Sequence, residues 1–166
     1  MPKIKIYDDI QAPADTTKFH FEGRNPFRVF DMVRGLLRDV MKISSKDILE
    51  TDVRWDVFAD PRAFYGMWMG KRKEDRWTMT NIRIILQGEI SMKTRAGWLD
   101  ARFKGTVDTE YEYHNFIQKG FWWQYNRFFY YGQRRKYIDY ANDNIRDIRR
   151  KMMEALGIAP DTHARV

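Results

Sequence analysis

The strongest constraint on this chain is a pattern near its C-terminal end. Ile138, Ala141, Ile145, Ile148, Met152 and Leu156 recur at steps of three and four, which predicts a helix with a single apolar stripe. Gly157 stands just past the last of them, where helices commonly stop. A striped helix needs an apolar surface to lie on. The rest of the chain must therefore build that surface.

The preceding residues predict a sheet and one earlier helix. Ile4 and Ile6 alternate with Lys3 and Lys5, and Phe19 and Phe21 with Lys18, His20 and Glu22; both are short strand signals. Asn25-Pro26 predicts a helix start, with Asn as cap and Pro at the first position. Phe30, Val33, Leu37 and Val40 continue it at helical spacing. From Leu49 to Phe58 strict alternation predicts a strand with Leu49, Thr51, Val53, Trp55 and Val57 on the buried face and Glu50, Asp52, Arg54 and Asp56 in water. Phe64–Gly70 predicts a further strand, where Gly66 and Gly70 mark a bend. Lys71–Arg76 forms a charged hairpin tip, and Trp77–Gln87 returns. Trp98–Phe103 and Val107–Tyr113 are expected as two separate strands broken at Gly105. Strands joined by short turns, with the helices clustered, give an α+β class built on a curved antiparallel sheet.

A length of 166 residues suits one domain, placed over 1–157, with a flexible tail over 158–166. The net charge of +7 favours anionic partners such as RNA, the ribosome or an anionic membrane surface. No cysteine is present, which excludes disulfides, thiolate metal sites and cysteine nucleophiles. The start MPKIKIYDD lacks the apolar core of a signal peptide. No run reaches the eighteen or so apolar residues of a membrane span. A cytoplasmic protein is the resulting expectation.

This order of elements, from about Phe19 to Leu156, resembles the helix-grip fold of the START-like superfamily, the polyketide-cyclase-like SRPBCC proteins, and looks like an uncharacterised archaeal member. The resemblance implies a curved sheet wrapped around the C-terminal helix with an apolar cavity between them. It implies binding of a lipid-like or aromatic ligand. The superfamily shares no catalytic signature, so no residue is carried over as catalytic.

Aromatic residues make up 16% of the chain, enough either to line a pocket or to fill a core. The pocket candidates are Trp55, Trp68, Trp77, Phe103, Tyr111 and Phe128. The segment 121–137 mixes rings with Arg127, Arg134, Arg135 and Lys136. It fits a homodimer interface, a membrane surface or base stacking. Lys71, Arg72, Lys73, Arg134, Arg135, Arg149 and Arg150 are the candidates for RNA or ribosome binding if they share one side. Asp108, Glu110 and Glu112 share a strand face and are expected in water. His20, His114 and His163 lack ligand spacing for a metal, although His114 could meet His20. No phosphate loop, serine elbow or cofactor motif is present. The expectation is a non-catalytic binder, with a cyclase- or hydratase-type enzyme requiring a polar dyad that the sequence does not display.

Overall fold

The computed structural model describes residues 2–14 and 16–159. Residues 160–166, with His163 and most of the expected tail, lie outside them. Among the described residues the fold is α+β: a six-stranded antiparallel sheet, with a long C-terminal helix on one face. The elements are β1 (Lys3–Asp9), β2 (Thr17–Arg24), α1 (Val33–Met41), β3 (Ile48–Trp55), β4 (Arg62–Lys73), β5 (Thr78–Ile90), β6 (Ala96–Glu112), α2 (Phe116–Tyr125) and α3 (Tyr131–Ala155). The sheet order is β1-β6-β5-β4-β3, and β2 also pairs with β6.

β6 is one strand of 17 residues, not two. Gly105 does not break it. Its missing side chain leaves room for Ile10 and Ile145, whose Cδ1 atoms lie 2.6 and 2.7 Å from where a Cβ would sit. The interruption falls on the neighbouring edge instead. β1 pairs with residues 106–112 and β2 with residues 96–103, and Ile10 bridges the gap by donating its amide to the Gly105 carbonyl at 3.0 Å.

The inner face of the sheet carries Ile82, Ile84 and Leu86 from β5 and Leu99, Ala101, Phe103 and Val107 from β6, all fully buried. The predicted stripe of α3 supplies Ala141, Ile145, Ile148 and Met152 to the same apolar cluster. Gly157, at φ 74°, ends the helix. Its amide bonds the Glu154 carbonyl and the Ile158 amide bonds the Met153 carbonyl, the paired bonds of a glycine-terminated helix. Ile158 packs against the core.

The helix predicted from Asn25 divides. Asn25 adopts a left-handed conformation and caps nothing with its side chain; Pro26–Val29 form a 3-10 turn before α1 begins at Val33. The turn seats Phe27 and Phe30 among Trp55, Phe64 and Trp68, with ring centroids 4.4–6.0 Å apart. α1 then lies against β4. A Cβ at Gly70 would come within 2.7 Å of Met41 Sδ and 3.2 Å of a Leu37 methyl, so this glycine serves close helix approach rather than a bend.

The alternation predicted for β3 changes phase midway. A bulge between Glu50 and Asp52 shifts the register. Ile48 and Glu50 face α1, where Glu50 meets Arg34 at 3.5 Å. Beyond the bulge Val53 and Trp55 take the inner face, opposite Gly66 and Phe64. One extra residue flips every later side chain, so Leu49 is 41% exposed although it shares the predicted apolar phase with Val53 and Trp55.

Candidate ligand-binding groove

Two reciprocal bonds start α2. Asn115 Oδ1 accepts the Gln118 amide and Gln118 Oε1 accepts the His114 amide, both at 2.8 Å, which satisfies first-turn amides that lack helical partners. The helix then buries a narrow stripe at steps of four: Trp122, Asn126, Tyr130 and Arg134. In an α-helix such a stripe would turn by about 40° per step. The turn Asn126–Tyr130 is π-helical, and its wider pitch absorbs the drift so that the stripe keeps facing the sheet.

The base of this limb is pinned. Arg134, 6% exposed, pairs with Asp8 of β1. Tyr130 donates to Asp75 Oδ2 at 2.6 Å, beside Tyr137 at 3.1 Å. Burial, and then the Asp75 carboxylate, push the Tyr130 phenol well above its ordinary range. Tyr130 therefore stays a protonated donor.

Above the pinned base, α2 stands off the ends of β5 and β6 and leaves a groove of about 680 Å³. Trp122 stacks on Tyr111 at 5.0 Å. Trp77 meets Tyr111, Tyr125 and Tyr130 edge-on at 5.4–6.2 Å. Ile117 and Phe121 complete the apolar wall, with His114, Asn115 and Gln118 at the rim. The ridge Ile117, Phe121, Tyr125 and Phe129 is 45–72% exposed. Trp122 Nε1 and Asn126 Oδ1 are buried without a hydrogen-bond partner. Each such group costs about 1–3 kcal/mol while unpaired.

The six pocket candidates separate in space. Trp77 and Tyr111 line the groove. Trp68 and Phe103 belong to the core, 3% and 0% exposed, and Trp55 packs in the ring cluster under α1. Phe128 stands 72% exposed on the limb, outside the groove wall. Between the sheet and α3, Leu86, Leu99, Phe103, Ile145 and Ile148 belong to one buried apolar cluster. The groove also uses Phe121, Trp122 and Tyr125, whose common position depends on the start of α2. The Asn115 and Gln118 cap pair was the signal for that start.

The basic candidates do not form one patch. Arg72 turns inward, bonding Glu74 at 2.6 and 2.8 Å and lying 4.4 Å over the Tyr140 ring. Arg134 is buried on Asp8. Arg150 pairs with Asp147 along α3, and Arg149 is also engaged. Arg135 reaches Tyr131 on its own helix. Lys71 sits on the outer face of β4, across from Asn81, and Lys73 is exposed at its end.

His20 does not meet His114. β2 aligns it with Asp100, which it contacts at 2.6 Å, with Glu22 at 3.2 Å and the Trp98 ring at 6.3 Å. The Asp100 bond, then the Glu22 bond, raise its pKa above the ordinary 6.5. A raised pKa in the folded state means the stabilisation is fully present below about pH 6.5 and fades as pH rises through the folded value. Replacing His20 with glutamine is expected to flatten the pH dependence of thermal stability above pH 6.5. An unchanged pH profile for the H20Q protein would show that this contact does not contribute.

No family model matches the chain, and no curated protein matches it. Among solved structures it is similar to a Staphylococcus aureus protein of unknown function, at 10% identity over 89% of this chain and 97% of that one, with a TM-score of 0.28. A Rhizobium leguminosarum uncharacterised protein aligns over the same shares at 8% identity and a TM-score of 0.25. No helix among the described residues is long and apolar enough to cross a membrane.

Proposed function

We propose that this is a non-catalytic binding protein that holds an apolar or aromatic small molecule in the groove between α2 and the ends of β5 and β6. On this reading the sheet and α3 form a helix-grip arrangement of the START-like kind, with the ligand site beside the sheet end rather than beneath α3. The observation that carries the reading is the groove itself. It has the volume of a small-molecule site, and its walls are rings with a few polar groups at the rim. Asn115 and Gln118 are occupied in capping α2, so they hold the apolar wall in place.

The test is titration with a neutral fluorescent probe, N-phenyl-1-naphthylamine. Phe121→Ser removes a wall residue that is 68% exposed, so folding is preserved while affinity falls about tenfold. Phe58→Ser, at a fully exposed site, leaves affinity unchanged. Equal binding by wild type and F121S overturns the assignment. Light scattering on the same samples addresses the other occupant of an exposed aromatic limb. A dimer mass that F121S converts to monomer, without probe binding, would assign α2 to contact between two copies of the chain.

A further inference from the structure

The face of the sheet opposite α3 is open to solvent, and its register creates an electrostatic conflict. Lys18 lies directly across from Arg102, and Arg83 directly across from Lys104. Arg102 and Lys104 are two apart on β6, so all four cations point from the same face in adjacent rows. Like charges at directly opposed positions destabilise a sheet. Acidic neighbours engage only part of this set: Asp9 pairs with Lys104 at 3.8 Å, and Asp100, which also lines the concavity, is held by His20 at 2.6 Å. Lys18, Arg83 and Arg102 make no ion pair among the described residues.

These side chains border a concavity of about 900 Å³ floored by Ile85. We propose that it is a binding site for a phosphate-bearing small molecule, whose oxygens sit among Lys18, Arg83 and Arg102. Charge complementarity fixes the ligand class, because two guanidiniums and one ammonium on three strands match a multiply charged anion. The lining chooses between a small ligand and a nucleic-acid strand. Strands bind through exposed rings on which bases stack. Here Phe19 is 8% exposed and stacked on Phe103, and His20 is tied to Asp100 and Glu22. The concavity therefore offers charge and volume without a stacking platform.

The site is separate from the aromatic groove, so the two proposals stand or fall independently. The test uses the full chain and inorganic pyrophosphate at constant ionic strength, read by thermal shift and calorimetry. Wild type is expected to gain thermal stability as pyrophosphate is added. Arg102→Gln and Arg83→Gln are expected to lose at least tenfold in affinity. Without ligand Arg102→Gln is expected to melt about 1–3 °C higher than wild type, because its repulsion with Lys18 is relieved. A purely structural role for Arg102 predicts the reverse, a lower melting temperature. No response of wild type to pyrophosphate, or equal affinity in the variants, overturns the proposal. Tighter binding of a single-stranded oligouridylate through the same residues would also overturn it, by assigning the face to nucleic acid.

Discussion

Replacing Phe103 with alanine is expected to destabilise the protein by about 3–5 kcal/mol, the usual cost of emptying a large buried ring site. Phe103 is fully buried at the middle of β6, stacked on Phe19 with centroids 6.0 Å apart and paired in register with Ile84. For a chain of this size that corresponds to a fall in melting temperature of roughly 6–20 °C. The loss is also a large part of the 5–15 kcal/mol typical of a domain. Urea denaturation of wild type and F103A measures it. A loss near 1 kcal/mol would mean that the ring borders a pre-existing void, and would return the ligand site to the space beneath α3. A loss in the expected range with unchanged probe affinity places binding outside that space.

The sequence made the register of the core legible and left the positions of the site obscure, for a physical reason. The stripe from Ile138 to Leu156 and the stop at Gly157 are local signals, and both describe α3 as it stands. β5 kept its alternation throughout, and its buried and exposed residues follow it without a break. Alternation fails where one residue is inserted. The bulge after Glu50 leaves no mark in composition, yet it reverses every side chain up to Trp55. Glycines carry the same ambiguity. Gly70 and Gly105 were readable as special, but whether a strand bends or a helix comes close depends on Met41 and Ile145, remote in the chain. Trp77 and Tyr111 were named as ligand contacts, and they do meet. Their partner Trp122 is set by the start of α2 at the Asn115 cap, and the π-turn that keeps Tyr130 and Arg134 in line with it is announced by no periodicity. The opposed cations on the outer face are likewise invisible until β2 is placed against β6, since Lys18 and Arg102 are separated by about half of the chain.

Asp75→Asn is expected to cost about 2–4 kcal/mol at neutral pH and to loosen the aromatic limb. Asp75 sits in the β4–β5 hairpin and uses both oxygens. Oδ1 accepts the Trp77 and Thr78 amides at 2.7 and 2.8 Å, while Oδ2 accepts the Tyr130 and Tyr137 hydroxyls at 2.6 and 3.1 Å. Tyr130 also contacts Thr78 Oγ1, which contacts Thr109 Oγ1 at 2.9 Å. One carboxylate thus ties the hairpin to the start of α3. An amide nitrogen accepts nothing, so the asparagine loses either the bonds from the hairpin amides or the bonds that the phenols donate. Burial alone would raise the carboxyl pKa, but the bonds from Tyr130, the two amides and Tyr137 together hold it below its ordinary 3.8. A depressed folded pKa means the stabilisation is present above about pH 4 and disappears as pH falls through the folded value. Wild type should therefore lose its advantage over D75N as the solution is acidified below pH 4, whereas the gap should be constant between pH 5 and 8. Because Tyr130 packs edge-on against Trp77 at 5.4 Å, D75N is also expected to weaken probe binding in the groove at neutral pH. Denaturation curves for both proteins at pH 7 and pH 3, with probe titration at pH 7, measure these effects. A gap that persists undiminished at pH 3 would show that the carboxylate charge is not what joins the hairpin to α3.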